Sequence, residues 1–394
     1  MKWKLIGNLL GAMFLIAILV FAAYMLVPFV RYLSIPVTGG TVAPTFKEDP
    51  AITKIKEQNK AKYFDVNVLG NHTTIVPSIA QVPAQGGWIN TAPLDLHGLA
   101  AEDKFILVNF CSYSDINCHR IEPYLEWIWT QYKEYGLVVI YVHTPELDFE
   151  KKPVNVLNAA RADGVTYPIV TDAEKTIWNK FGNHTRPGQY LIDPHGEVVY
   201  TQFIQDEYKK EEQVIRQNLL GYGWELPTNL TQPTFLVSNE EKPQTPILYA
   251  GAGLIRRRLG NDQQPVAGST TIYNSPKKMD PDQIYLSGSW AAANDYLQSM
   301  TAGQVNVNYL ASTIYVVLSQ AINPIMVEVR LDGQPVPVDL RGKDIIVQDG
   351  KTYMQIVAPG LYFPISEQAP YGRHQLTLLT PPGLRLYTFT FGVY

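Results

Sequence analysis

Cysteine is scarce in this sequence: Cys111 and Cys118 are the two cysteines among 394 residues, so no disulfide framework can hold the fold together. An excess of charge of one sign is also lacking, because 32 Lys and Arg face 36 Asp and Glu and no long basic run occurs. The sequence therefore carries no electrostatic footprint for nucleic acid. Its 28 Gly and 28 Pro follow no period, which excludes collagen-like and low-complexity chains.

Apolar residues are plentiful, at 46% of the chain, which excludes a disordered protein. At roughly 150 residues per domain, the length predicts two or three domains with sizeable cores. The 24 tyrosines fit β-rich domains with half-buried faces.

The amino-terminal region predicts one transmembrane helix within residues 1–33. The stretch from Leu5 to Val30 contains no charge and is longer than the roughly 20 apolar residues that cross the hydrocarbon core. A cleaved signal peptide is the alternative, but its apolar core spans about 7–15 residues and precedes a small-residue cleavage site, which is not evident here. The membrane-anchor residues of this prediction are Leu5, Phe14, Leu19 and Phe29.

The charges that flank this helix predict its orientation. Lys2 and Lys4 precede it and favour a cytoplasmic amino end, although Arg31 weakens the asymmetry. We therefore expect a single-pass inner-membrane protein whose remaining chain is periplasmic. Residues 34–87 then form a juxtamembrane linker, with a short helix over Pro50–Tyr63. This linker is either a tether or a segment that wraps a partner.

Residues 88–225 alternate strand and helix patterns, which is typical of an α/β layered fold. Phe105–Phe110 and Leu137–Val142 are the continuous apolar runs of buried strands, and Asp115–Tyr135 has helical spacing. The other elements predicted here are helices over Val154–Asp163 and Glu207–Leu220, and a hairpin of Tyr190–Asp193 with Val198–Ile204.

After a Pro-containing linker at residues 226–246, residues 247–394 consist of short β-branched and aromatic runs between turns. Asp332-Gly333 and Asp349-Gly350 predict tight hairpins. The pattern predicts an all-β sandwich of the jelly-roll kind, similar to carbohydrate-binding modules. The predicted strands include Val305–Tyr309, Thr313–Leu318, Met326–Leu331, Tyr353–Val357, His374–Leu379 and Leu386–Phe391.

The passage ILVNFCSYSDINCHRIEPYLEWIWTQYKEYGLVVIYVHTPE and the segment from Arg186 to Asp193 resemble thioredoxin-like domains of the TlpA/DipZ family. Leu331-Asp-Gly-Gln-Pro335 and the carboxy-terminal YTFTFG resemble the β-domain of that family. The resemblance covers roughly Trp88 to Tyr394. It implies an extracytoplasmic thioredoxin fold in which Pro187 is a cis-proline that presents backbone to an extended partner chain and serves for docking.

The family's thiol–disulfide reaction needs Cys-x-x-Cys at the start of a helix, which lowers the pKa of the first thiol. The aligned residues here read Asp-Ile-Asn-Cys, so Asp115 occupies the attacking position and only Cys118 remains. A carboxylate suits a helix N-cap but cannot form a disulfide. Cys111 stands where the family usually has a Trp. The resemblance therefore implies a redox-inactive domain with Asp115 at the degenerate position.

Other interpretations of the cysteines stay open. Cys111 and Cys118 are the candidate catalytic residues if they form an unusual pair, which requires Cα atoms within about 7 Å. Cys118 alone could act as a ligand or sensor, and two free, buried cysteines are the simplest alternative. The seven histidines lack metal-ligand spacing such as His-x-x-x-His, so neither a metal nor a cofactor is predicted.

These features predict a membrane-anchored structural or assembly subunit whose two domains serve as docking scaffolds. The domain order is similar to accessory periplasmic subunits of bacterial photosynthetic reaction-centre complexes. That similarity implies reaction-centre or light-harvesting subunits and membrane lipid as partners. One alternative is a divergent thiol–disulfide oxidoreductase that uses Cys118 with Cys111. Another is a glycan-binding module on a membrane stalk, with Trp290 and the many tyrosines of the β-domain in a sugar platform, although packing of these rings in the core is the simpler interpretation.

Overall fold

The computed structural model describes residues 74–75 and 87–394, apart from residues 95, 204–206, 229, 231, 236–240, 255–257, 275–277 and 322–323. The predicted transmembrane segment, with Leu5, Phe14, Leu19 and Phe29, lies outside the described residues, as does the helix predicted over Pro50–Tyr63. Among the residues that are described, no helix has the length and apolar character needed to cross a membrane.

The amino-terminal domain is built on a seven-stranded sheet. Its strands are β1 (Thr74–Ile75), β2 (Trp88–Ile89), β3 (Phe105–Cys111), β4 (Leu137–His143), β5 (Ile169–Thr171), β6 (Gly188–Ile192) and β7 (Glu197–Gln202). Its helices are α1 (Leu96–Ala101), α2 (Ile116–Tyr132), α3 (Pro153–Ala162), α4 (Thr176–Lys180) and α5 (Tyr208–Gly221). The strand order is β1-β7-β6-β3-β4-β5-β2, with β3, β4 and β5 parallel and the other neighbours antiparallel.

Side chains of the central strand β3 alternate between two hydrophobic clusters, one on each face of the sheet. Phe105 and Leu107 join the cluster that contains apolar residues of α2, α3 and α5. Ile106 and Val108 join the cluster that contains residues of α1 and α4. Because helices cover both faces, every residue of β3 is buried, as its continuous apolar sequence requires. The predicted α/β layered fold is confirmed.

Two segments predicted as linkers contain residues that join this domain. Thr74 and Ile75 form the edge strand β1, antiparallel to β7, an outcome that neither interpretation of residues 34–87 included. Within the linker predicted at residues 226–246, the ring of Phe235 packs 5.6 Å from that of Tyr124 and 5.4 Å from that of Tyr208. The described residues Thr74, Ile75 and Phe235 therefore belong to the first domain.

The carboxy-terminal domain is all-β, as predicted, with a single thirteen-stranded antiparallel sheet among its described residues. The first strands are β8 (Leu248–Tyr249), β9 (Thr270–Tyr273), β10 (Ile284–Ala292), β11 (Leu297–Ser299), β12 (Gly303–Ala311) and β13 (Thr313–Gln320). The others are β14 (Ile325–Leu331), β15 (Gln334–Pro335), β16 (Ile346–Gln348), β17 (Lys351–Ile356), β18 (Gly360–Tyr362), β19 (Gly372–Thr380) and β20 (Leu384–Gly392).

Strand β10 serves both halves of this sheet. Its first residues, Ile284 to Ser287, pair with β12, and the residues after them pair with β9 and β11. Gly288 lies at the change of partner with φ +89°, and a Cβ there would lie 2.9 Å from the carbonyl oxygen of Ala302. Glycine thus permits the bend that lets the two halves enclose one hydrophobic cluster.

Both predicted hairpins are confirmed. Asp332 and Gly333, between β14 and β15, have φ of +51° and +80°. Asp349 and Gly350, between β16 and β17, have φ of +50° and +73°. Two consecutive positive φ angles define the turn whose twist matches that of paired strands, and Asp-Gly tolerates it best.

A buried acid lies in the core of the first domain. Glu211 of α5 is 1% exposed, and burial raises its pKa to about 8. The Tyr124 hydroxyl and the Gln189 amide lower this pKa, but by less than burial raises it. Glu211 is therefore protonated in the folded protein at neutral pH, whereas it is ionised in the unfolded chain.

We expect the protein to lose stability as the pH rises from about 4.5 to about 8. Below this window both states hold the proton; within it the unfolded state releases the proton first, which favours unfolding. Glu211→Gln should remove a pH-dependent loss on the order of 5 kcal/mol. Urea-induced unfolding across this pH range measures it, with the exposed Glu225→Gln as matched control. Parallel pH profiles for wild type and Glu211→Gln would contradict the assignment.

Candidate functional site

Helix α2 begins with an aspartate cap. Asp115 has extended backbone angles (φ −86°, ψ 121°), and its Oδ1 accepts a hydrogen bond of 2.9 Å from the backbone N–H of Asn117. This is the N-cap that the sequence predicts, because the side chain satisfies an N–H without a helical partner. The attacking position of the family is thus occupied by a carboxylate that caps the start of the helix.

Cys111 and Cys118 are joined by a disulfide. Cys111 is the last residue of β3 and Cys118 lies in the first turn of α2, with Cα atoms 5.5 Å apart, inside the limit for a bridge. Both residues are completely buried, and Cys118 Sγ accepts a hydrogen bond of 3.3 Å from the backbone N–H of Ser112. The interpretations of two free cysteines and of a lone reactive Cys118 are therefore wrong.

The β-domain covers the start of α2. Ile116, in the turn after Asp115, forms a small buried cluster with Tyr315 and Phe363 of the β-domain. One turn further on, the His119 ring lies 5.0 Å from the Phe363 ring. The surface beside the disulfide, where the family's thiol would face a partner, is thus an interdomain contact.

A chain of hydrogen bonds fixes this contact. Arg120 Nε donates to the Tyr394 hydroxyl at 2.6 Å, and the Tyr315 hydroxyl donates to Glu367 Oε1 at 2.7 Å. The two tyrosine hydroxyls lie 2.6 Å apart, so Tyr394 donates to Tyr315, whose own proton is engaged. Burial raises the pKa of both tyrosines, which keeps these donors protonated. Each group in the chain therefore donates to the next, from Arg120 at one end to the accepting carboxylate of Glu367 at the other.

A pocket beside Asp115 is lined by residues of both domains. The buried Glu150 carboxylate accepts hydrogen bonds from the hydroxyls of Ser112 and Ser114, and from the backbone N–H groups of Glu146 (2.7 Å) and Leu147 (2.8 Å). Four donors satisfy this carboxylate, so the pocket holds a fully hydrogen-bonded acid.

Arg186 links the predicted site residues. Its guanidinium lies 3.7 Å from Asp115 Oδ2 and 3.2 Å from Glu146 Oε2. Burial raises the pKa of Asp115, and Arg186 opposes that shift. The next peptide bond, Arg186–Pro187, is cis, as the resemblance implies, and Gly188 then pairs with Phe110 beside Cys111.

His143 sits at the end of β4, opposite Cys111 in the parallel register. It is buried and stacks on Tyr113 with ring centroids 5.4 Å apart. Burial lowers its pKa to about 4, with the Glu150 carboxylate opposing that shift. A neutral imidazole here supplies no positive charge to stabilise a thiolate at neutral pH.

The structure brings Cys111, Asp115, Cys118 and Pro187 together at one end of β3. Sequence reasoning missed Glu150 and Arg120, whose partners are scattered along the chain. Neither belongs to a spaced motif. The one sequence signal near them is that Arg120 lies within the passage that resembles the TlpA/DipZ family.

Two family models match the chain. One, described as the AhpC/TSA family, matches residues 81–201; the other, described as the thioredoxin-like C-terminal domain, matches residues 245–392. Protein DipZ of Mycobacterium tuberculosis is 30% identical over 317 residues, which is 78% of this chain. These matches follow the order of the two domains. The chain belongs to the TlpA/DipZ-type thioredoxin-like family. It spans 41% of the length of the DipZ proteins it matches.

Two further similarities concern the thioredoxin-like domain of this TlpA/DipZ-type protein. Thiol-disulfide oxidoreductase ResA of Halalkalibacterium halodurans is 30% identical over 98 residues, which is 25% of this chain and 53% of ResA. A solved structure, a thiol:disulfide interchange protein of the thioredoxin family from Chlorobium tepidum, aligns at 19% identity with a TM-score of 0.31. That alignment covers 38% of this chain and 99% of the other.

We expect the substitutions Cys111→Ala and Cys118→Ala to be strongly non-additive. Either one alone breaks the cross-link and should lower the free energy of unfolding by about 2–3 kcal/mol, as for a short closed loop. The second substitution then removes only the packing of one small side chain. Urea-induced unfolding of both single variants and the double variant measures this difference.

Thiol titration of the wild type in denaturant should find no free thiol before reduction and two free thiols after it. Additive losses, or thiols that react without reductant, would show that the bond is absent.

Proposed function

We propose that this protein is a thioredoxin-like scaffold that has given up thiol–disulfide exchange and serves as a docking subunit of a membrane protein complex. The observation that carries the proposal is the burial of the Cys111–Cys118 disulfide behind Asp115 and under the β-domain.

Thiol–disulfide exchange needs a thiolate to reach a sulfur atom of the bond. Neither sulfur-bearing residue is exposed to solvent, and the position from which the family's first thiol acts carries a carboxylate. The adjacent turn of α2 is held against the β-domain through Ile116 and Arg120. Exchange would therefore require the two domains to separate or the turn to unfold.

The location of the protein and the identity of its partners belong to the same proposal. The apolar amino-terminal stretch supports a single inner-membrane anchor with both described domains in the periplasm. Docking of an extended chain at the cis-Pro187 segment is implied by the family resemblance alone, because Pro187 is buried in the structure. Domain order is what suggests a photosynthetic reaction-centre complex with its light-harvesting subunits as the assembly.

A second candidate function is a divergent thiol–disulfide oxidoreductase. The cysteines do form a disulfide, and the relative ResA is named for that activity. In such an enzyme, an external thiolate would attack one sulfur of the bond and release the other as the leaving thiolate. The glycan-binding alternative loses Trp290 from its proposed platform, because Trp290 is 1% exposed and its indole N–H donates to the Ser287 carbonyl.

An insulin-reduction assay separates the two candidates. The full chain should reduce insulin no faster than dithiothreitol alone, and Cys118→Ser should behave identically, because no sulfur is reachable. Asp115→Asn is the matched control, since it keeps an N-cap without the charge. Catalytic turnover by the wild type that disappears in Cys118→Ser would establish the oxidoreductase and remove the scaffold proposal.

Extraction of native membranes with mild detergent tests the docking role. The protein should co-migrate with integral membrane proteins in a complex much larger than itself, and bacteriochlorophyll absorbance in that fraction would identify a photosynthetic assembly. A chain that emerges alone and monomeric would contradict the proposal.

A further inference from the structure

His119 and Glu122 lie one turn apart on α2, and Asp163 caps the carboxyl end of α3. One donor atom from each of these three side chains lies within 4.8 Å of the other two. No pair of closely spaced histidines marks this group in the sequence, because its pattern is His-x-x-Glu completed by a distant aspartate.

The environment of the Glu122 carboxylate also indicates that a cation binds here. Its side chain is 9% exposed, and Oε2 lies 3.2 Å from His119 Nδ1. Among the described residues, this buried oxygen nevertheless has no hydrogen-bond partner of acceptable geometry. A buried carboxylate oxygen that lies close to the His119 ring without a hydrogen bond, and beside a second carboxylate, is stabilised if a cation is shared among these three donors.

We propose that His119, Glu122 and Asp163 form a binding site for a divalent transition-metal ion of the zinc class. One imidazole nitrogen and two carboxylate oxygens match the donors that Zn²⁺ takes, at about 2.0–2.2 Å from the metal. Magnesium, which prefers an all-oxygen octahedron, fits these donors poorly. Asp163 is exposed, so the ion has a path from solvent and water can complete its coordination.

The ammonium group of Lys343 competes with this ion. Lys343 belongs to the β-domain, is exposed, and has its Nζ 3.4 Å from His119 Nε2. A metal on His119 Nδ1 leaves a proton on Nε2, which then faces another donor. Lys343 must therefore turn away, and the Phe363 ring, 3.9 Å from Nζ, offers a face for it. Removal of the Lys343 charge should strengthen metal binding.

The test is a titration of the purified full chain with Zn²⁺, after treatment with a chelator, followed by calorimetry. We expect one site per chain, with Mg²⁺ unable to displace the zinc. Glu122→Gln and Asp163→Asn should each weaken zinc binding by at least about tenfold, since loss of even an outer-shell partner costs that much. Lys343→Met should strengthen it. X-ray absorption should show a single imidazole nitrogen and no sulfur, because both cysteines are in the disulfide.

His374→Gln is the matched control. His374 Nδ1 lies 2.9 Å from Asp332 Oδ2 in an exposed pair that belongs to no group of three donors among the described residues. This substitution should leave zinc binding unchanged. The proposal is overturned if the wild type binds no zinc, if Glu122→Gln and Asp163→Asn bind it as tightly as the wild type, or if His374→Gln abolishes binding.

Discussion

The contact between the first turn of α2 and the β-domain is the constraint on which the rest of this structure depends. In a thioredoxin-like domain, the start of this helix is where a reactive thiol meets its partner. Here Ile116 is packed between Tyr315 and Phe363, and Arg120 starts a chain of hydrogen bonds through two tyrosines. The surface at the start of α2 that would meet a partner is therefore buried against the β-domain.

The replacement of a thiol by Asp115 is consistent with that enclosure. An aspartate keeps the helix capped and gives Arg186 a partner, so the local geometry survives without the sulfur. The remaining cysteine is bonded to a residue of the neighbouring strand instead of to a residue of its own helix. The bond therefore ties α2 to β3, which is a structural task. Together with the enclosed surface, it explains why a TlpA/DipZ-type domain can retain its fold while its chemistry is proposed to be lost.

Features set by local sequence were predictable. Continuous apolar runs identified β3 and β4 within a few residues, and the Asp-Gly pairs identified two hairpins, because one short segment encodes each. The cap at Asp115 followed from a helix start and a carboxylate. Short elements such as β5 and α4 were not predicted, since three to five residues carry too little pattern.

Features set by distant residues were not predictable. Arg120 meets Tyr394 across 274 positions, and Asp163 comes within reach of His119 only after α2 and α3 pack. The disulfide depended on the distance between the end of a strand and the first turn of a helix, which no spacing in the sequence specifies. The edge strand at Thr74 likewise became visible only through its pairing with β7.

The bend at Gly288 has a consequence for how the β-domain comes apart. Strand β10 contributes to both halves of the sheet. If one half unfolded while the other stayed folded, β10 would have to be disrupted in its middle. The domain should thus behave as a single cooperative block, and Tyr394, which follows β20 and accepts a hydrogen bond from Arg120 of α2, is anchored to that block.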